Sequence, residues 1–406
     1  MHLSDPLIRK EYEFVFEGPD IWKPQEFDSQ SFIQETLDSI RKKGEPFDGM
    51  LATEDYPVCI MGSIIAEKLG LRFPSTASVF ICQNKYYSRT VQASFIPEAT
   101  PGFALIDPET EYSGEEIPLE FPFFIKPVKS YLSMHAKAVR NASELNSALA
   151  AARTKLPQFT RPFDELLATY PVEGFAFVPG RMMLAEEMLR GEQVSIEGYV
   201  YDGEITILGI FDSLMHPGTL SFKSFETPSS LPGHAQERVR SIAEKAVRAS
   251  GLESTVFNVE MMYIREDDSA KIIEINPRMA GQFVDLVDKV YGRNMYRIQL
   301  DLCLGRKPDP EGKKPKHKVG ASFPLRLFKD MKVTRAPRLS EIADIHRQFP
   351  DTLIHVLVAE GSRLSDYPQD SDSFRYCLVN TAAGSREELH EKFERIKGML
   401  RFEFVY

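Results

Sequence analysis

Two short stretches carry residue types whose spacing could do chemistry: FNVEMMYI (257–264) and KIIEINPR (271–278). Read as strands, their side chains alternate between faces with period two. Glu274 and Asn276 then project from one face, while Ile273 and Ile275 fill the other. On the first stretch Asn258, Glu260 and Met262 share a face, and a hairpin turn centred near Asp267 sets Glu260 opposite Glu274. Like charges facing each other destabilise a sheet, and a cation between them removes that cost. Oxygen-only donors from two glutamates and an asparagine suit a hard cation, Mg²⁺ or Mn²⁺ ahead of zinc. The same pattern also describes the solvated face of an amphipathic strand. Arg278 follows just past Pro277. A guanidinium there suits phosphate or carboxylate recognition, and equally a surface arginine in a turn.

Cations come next. Lys126 ends the apolar run FFIKPV (123–128), held before Pro127 at the rim of any cleft below that strand. Lys85, in CQNKYYSR (82–89), is a second candidate for a nucleotide phosphate. Either lysine taken alone also reads as a surface charge. In LAEEMLRGEQ (184–193) a strand breaks at Arg190-Gly191, exposing backbone donors and acceptors that can read the edge of an adenine. Glu192 stands where its carboxylate could accept from ribose hydroxyls; a plain hairpin with acidic surface residues is the alternative.

The elements that must position these groups follow from periodicity. Strands are expected over 11–18, 47–53 and 71–75, with helices over 29–44 and 58–70 closed by Gly44 and Gly70. That alternation implies a small parallel sheet, with no G-x-G-x-x-G after any strand. A proline-rich transition leads to the strand at 123–128 and a helix over 141–153 capped by Asn141 or Ser143; 154–181 reads as irregular. Strands over 192–200 and 204–211 flank a hairpin turn at Asp202-Gly203, and an amphipathic helix spans 234–251. Residues 309–318 read as a charged linker, followed by strands and a helix over 385–399.

Composition bounds the rest. The 406 residues suggest about two to four domains. Hydrophobic residues at 43% and charged residues at 27% are those of an ordinary globular chain. A net charge of −10 argues against binding a nucleic-acid backbone. The four cysteines form no C-x-x-C pair, against zinc and against a disulfide scaffold. No apolar run reaches membrane-spanning length, and the N-terminus lacks the apolar core of a signal peptide. A reduced, cytoplasmic, multi-domain enzyme is expected.

In their order these segments resemble the ATP-grasp superfamily: Lys85, Lys126-Pro127, the hinge over 186–192, N-V-E at 258–260 and E-I-N-P-R at 274–278. The resemblance covers roughly 47–310 and is strongest toward carboxylate–amine ligases acting on amino acids; 319–406 is similar to their C-terminal lobe. It implies an α/β and α+β fold with an N-terminal α/β domain (1–84), a nucleotide-binding domain (85–308, lobes about 85–183 and 184–308) and a C-terminal α+β lobe (319–406). It further implies that Lys85 and Lys126 contact ATP phosphates, that Glu186 with the Glu187-to-Leu189 backbone holds adenine, and that Glu192 holds ribose. Glu260, Glu274 and Asn276 would ligate Mg²⁺ (or Mn²⁺), and Arg278 would stabilise the transferring phosphoryl group. Where such ligases carry E-x-x-H, this chain reads Glu226-Thr-Pro-Ser229, so Glu226 is the residue expected to pair with a substrate amine, with His216 in the same lid. The loop after Lys-Pro, usually glycine-rich, here has no glycine (128–139), leaving Lys129, Ser130 and Ser133 to hold phosphate through side chains.

The activity so implied joins a carboxylate to an amine through an acyl-phosphate, releasing ADP and phosphate. Small-molecule substrates are the expected partners, with no nucleic acid and no membrane, and a homodimer is admitted. The alternatives are a carboxylase or purine-pathway-type ligase on the same fold, and a non-catalytic nucleotide-binding regulatory module.

Overall fold

A computed structural model describes residues 6–17, 28–44, 46–130, 134–309, 312–369 and 373–406. The N-terminal layer is helical: α1 (Pro6–Glu11), α2 (Ser29–Lys43), α3 (Val58–Leu69) and α4 (Thr76–Gln83), with α5 (Lys85–Phe95) following directly. Asp28 caps α2 by accepting from the Gln30 and Ser31 N–H groups, and Gly44 and Gly70 end α2 and α3 in the left-handed conformation expected of them.

The three strands expected in this layer are not formed. Residues 12–17 follow α1 without a ladder, position 18 lies outside the described residues, and 47–53 and 71–75 pair with nothing among the described residues. The apolar run 47–53 serves packing instead. A Cβ on Gly62 of α3 would lie 2.6 Å from the Ala52 side chain, and one on Gly49 would lie 2.8 Å from Cys303 Sγ. Hydrophobic patterning records burial; it does not record ladder partners.

The first sheet contains β1 (Phe103–Ile106), β2 (Phe123–Pro127), β3 (Lys137–Val139) and β4 (Met183–Glu187), in the order β1-β4-β2-β3. One face packs against α6 (Ala142–Thr169) through Phe123, Ile125, Leu145, Leu149 and Leu156. Helix α6 runs 28 residues to Thr169, into the stretch expected to be irregular, with Pro157 and Pro162 inside it, while 170–181 are irregular as expected. An interior proline costs about 3 kcal/mol. Here the apolar stripe continues past both prolines, and Phe159, Phe163, Leu166 and Leu167 bury against the N-terminal helices.

The second sheet has eight strands, in the order β12-β13-β10-β7-β6-β5-β8-β9. Its strands are β5 (Glu192–Tyr201), β6 (Glu204–Met215), β7 (Phe222–Thr227), β8 (Thr255–Ile264), β9 (Ser269–Asn276), β10 (Val319–Leu327), β12 (Leu353–Val356) and β13 (Phe374–Ala383); β11 (Lys332–Arg335) and β14 (Glu403–Val405) form a separate pair. Helix α7 (Gly233–Ala249) covers one face with Val239, Ala243 and Ala246. Helices α8 (Val284–Tyr291) and α9 (Met295–Cys303) cover the other, where Phe283 stacks on Phe211 at 4.2 Å. Helices α10 (Leu339–Gln348) and α11 (Arg386–Met399) pack on β10 and β13. The sheet is therefore continuous across the linker: β10 pairs with β7, so the C-terminal lobe extends the same sheet that carries the acidic hairpin.

Candidate active site

The β8–β9 hairpin pairs Asn258 with Asn276 and Glu260 with Glu274, around a turn at 265–268. On the other side of β8, Ser195 faces Glu260 and Glu197 faces Asn258. The amides are oriented in series. Asn276 Nδ2 donates to Asn258 Oδ1 (3.2 Å), and Asn258 Nδ2 donates to Glu197 Oε1 (2.7 Å). Asn276 thus turns its carbonyl oxygen outward, toward Arg278. Burial pushes the Glu260 carboxyl up to about 7, with the negative charge of Glu274 adding to the effect. Among the described residues no three of His, Cys, Asp and Glu gather as a metal cage. Two facing carboxylates and one aimed amide oxygen form an all-oxygen set with surplus negative charge. That set fits a hard dication such as Mg²⁺ or Mn²⁺.

A bulge between Glu260 and Met261 makes Ile273 the extra residue of β9 and frees its carbonyl. That carbonyl accepts from Arg89 Nη2 at 2.9 Å and Lys126 Nζ at 3.3 Å. Lys85 and Arg89 lie one turn apart on α5, capped by Asn84. Lys85 Nζ is 3.2 Å from Glu274 Oε1. Despite burial, Lys85 and Lys126 hold the Glu274 carboxyl below the usual range. Lys126 and Glu186 share the face of the first sheet that looks toward the hairpin, so both sheets contribute charges to one cleft.

Asp55, absent from the sequence expectations, completes the cluster from the N-terminal layer. Its Oδ2 accepts from Arg278 Nη2 at 2.5 Å and Nε at 3.2 Å. Burial works against its charged form, yet Arg278 and Lys129 hold it well below the usual carboxylate range. Only one signal was available in the sequence, an acid just before a helix; its partner is 223 residues away.

Several expected residues stand elsewhere. Glu186, expected at the adenine, has both oxygens engaged: Oε1 by Arg89 Nε (2.6 Å) and Oε2 by Lys126 Nζ (2.8 Å). It is the counter-charge that fixes Lys126. Glu192 projects from the face opposite to Glu260, because Ser195, three residues on, shares the Glu260 face; Arg265 Nη2 holds it at 2.5 Å. Gln193 is the residue on the cleft side, donating to Glu260 Oε2 at 3.1 Å. Glu226 is also on the far face. It pairs with Asp212, which pairs with Val194, whereas Ser195 and Ser213 lie on the acidic face. Its carboxylate is bound by Arg386 (2.6 Å) and His390 (3.2 Å) of α11, so it fastens the C-terminal lobe to the sheet. Lys129 is engaged within the protein, donating to Gln83 Oε1 and lying 4.6 Å from the Tyr56 ring centroid. The Ser130 carbonyl accepts from Lys85 at 3.4 Å, and Ser133 lies outside the described residues. Glu187 and Leu189 sit at the β4–β5 connection, where the Glu187 N–H donates to Gly102 O. Gly191 is required there: a Cβ would fall 2.1 Å from Tyr263 O. His216 lies on the β6–β7 connection, edge-on to Phe328 at 5.2 Å.

Residues 119–285, the span that holds Lys126, the hinge and the acidic hairpin, match the ATP-grasp domain family. The family match is to this span, which is less than half of the chain. Alanine–anticapsin ligase of Bacillus amyloliquefaciens is 33% identical over 144 residues, 32% of this chain and 30% of that protein. Carnosine synthase 1 of Gallus gallus is 31% identical over 133 residues, 32% of this chain and 14% of that protein. The chain thus spans a third or less of the length of these curated relatives. Over nearly its whole length the chain superposes on the crystal structure of L-amino acid ligase from Bacillus licheniformis, with a TM-score of 0.70 at 18% identity, covering 92% of this chain and 85% of that one. An ADP complex of N5-carboxyaminoimidazole ribonucleotide synthetase gives 0.61 at 11% identity, covering 89% and 82%. At such identities the likeness speaks for the ATP-grasp fold alone. Among the described residues no helix is long and apolar enough to cross a membrane.

Proposed function

We propose that this chain is an ATP-dependent carboxylate–amine ligase, forming an amide through an acyl-phosphate and releasing ADP and phosphate, with an amino acid as one substrate. The observation that carries the reading is the convergence of Lys85, Lys126 and Arg278 with Glu260, Glu274 and Asn276 in one cleft between two sheets. Lys126, fixed by Glu186, and Lys85, released from Glu274, are the cations for the terminal phosphates. Glu260, Glu274 and Asn276 would hold Mg²⁺ or Mn²⁺, which when bound supplies charge neutralisation of those phosphates. Arg278 places its guanidinium beside the Asn276 oxygen, where it would stabilise the transferring phosphoryl group. The substrate carboxylate attacks the γ-phosphorus, ADP leaves, and the amine then displaces phosphate at the acyl carbon. The chain's own contribution is positioning and charge compensation, which suffices for phosphoryl transfer. Two of the similar proteins are, by name, ligases of amino acids, which supports an amino acid as substrate. The hinge 187–191 would read adenine through its backbone, and Gln193 is the polar side chain beside it on the cleft side. The four buried thiols suit a reduced, cytoplasmic setting.

The test is ADP and phosphate release across an array of paired amino acids and small carboxylic acids, bicarbonate included. Release that needs both a carboxylate and an amine, with an amide formed, is expected. Release with bicarbonate alone would move the assignment to a carboxylase, and nucleotide binding without turnover to a regulatory module.

A further inference from the structure

We infer that Asp55 is a positioning residue for Arg278, and that the N-terminal layer reaches the reacting centre through it. The inference rests on the proposed role of Arg278 at the transferring phosphoryl group.

Asp55 immediately precedes Tyr56 and the start of α3, and its carboxylate is fixed from both sides. Oδ1 accepts from the Tyr56 N–H (2.7 Å) and from Gln83 Nε2 (2.9 Å) on α4. Gln83 is itself held by the Lys129 ammonium. Oδ2 takes two of the guanidinium donors, Nε and Nη2. The other partners of Arg278 are distant: Asn276 Oδ1 at 3.3 Å and Met279 O at 3.4 Å. Without Asp55 only these long contacts would orient a side chain with several free torsions. One Nη1 N–H stays without a partner among the described residues.

Exposure argues for orientation as the purpose of the pair. The Arg278 and Asp55 side chains are 20% and 29% exposed, so the pair opens onto the cleft. A part-exposed pair contributes modestly to stability, while the two-donor fork fixes a guanidinium plane. Small misplacement of a group at a reacting centre costs up to about 100-fold in rate.

The experiment is a double-mutant cycle in the full chain with Asp55→Asn, Arg278→Ala and the pair combined. Three quantities are read: carboxylate-dependent ADP release, affinity for a non-hydrolysable ATP analogue with Mg²⁺, and the thermal unfolding midpoint. Asp55→Asn is expected to lower kcat about 10–100-fold while KM for ATP stays within about three-fold. If Asp55 acts through Arg278, the double variant is no slower than Arg278→Ala alone. Multiplying losses, or an unchanged kcat in Asp55→Asn, would overturn the inference. A wild-type chain without carboxylate-dependent turnover would sink the ligase reading. The cycle read in the thermal unfolding midpoint then still decides Asp55, since non-additive losses support the coupling and additive losses refute it.

Discussion

Lys126 Nζ lies 2.8 Å from Glu186 Oε2, and Arg89 Nε closes on the other oxygen of the same carboxylate at 2.6 Å. Three charged groups are thus buried as one unit, and burial lowers the pKa of Lys126 even beside its counter-charge. Glu186→Gln leaves two buried cations uncompensated, a class of change that costs about 3–5 kcal/mol. Urea unfolding should show that loss. Lys126→Met keeps the Arg89–Glu186 pair, so it should unfold nearer the wild type while ATP affinity falls at least about ten-fold.

Glu274→Ala removes one of two facing carboxylates and should abolish turnover, a drop of more than about 100-fold. Calorimetry should also find that Mg²⁺ no longer tightens binding of an ATP analogue. Asn276→Asp keeps an oxygen donor, so activity should fall less and the Mg²⁺/Mn²⁺ preference should shift. An unchanged metal profile in Asn276→Asp would remove that residue from the ligand set.

The register of this hairpin was legible because three signals agree: alternating apolar residues, an acidic turn, and acids at matching distances from it. Glu192 shows how narrow that legibility is. A shift of one residue along a strand moves a side chain to the other face, and here it is Gln193 whose side chain reaches Glu260. Glu226 stands on the far face for the same reason, since nothing in the local sequence says which face of β7 shares the side of the acidic hairpin. Helix α6 was cut short in the reading because prolines were weighed locally, whereas its stripe is buried by two separate cores. Asp55 and the β7–β10 pairing depend on contacts between distant parts of the chain, which no local pattern encodes.

Glu226→Gln tests the corrected placement. Its carboxylate holds α11 through Arg386, which is 32% exposed, so the loss of stability should be on the order of 1–3 kcal/mol. The turnover of the folded fraction should stay within about two-fold. A kcat loss without a stability loss would return Glu226 to the catalytic machinery.

Asp164, near the end of α6, gives a pH dependence. Burial pushes its carboxyl up to about 6, although it accepts the Gly180 N–H at 2.6 Å. The folded state therefore holds this proton more tightly than the unfolded chain does. Its contribution to stability is present below the unfolded pKa near 4 and is lost as pH rises through about 6. Asp164→Asn keeps the acceptor oxygen without the charge. It should be more stable than wild type at pH 7, by up to about 3 kcal/mol, and the gap should close as pH falls toward 4. Unfolding midpoints at three pH values would check this.

The chemical route is tested most directly by following oxygen. Lys85, Lys126, Arg278 and the Glu260–Glu274–Asn276 set are assigned to the terminal phosphates, which makes the γ-phosphorus the point of attack. With an ¹⁸O-labelled carboxylate substrate, the account predicts one labelled oxygen in inorganic phosphate per amide formed, alongside ADP. Label recovered in AMP, with pyrophosphate released, would contradict the acyl-phosphate route.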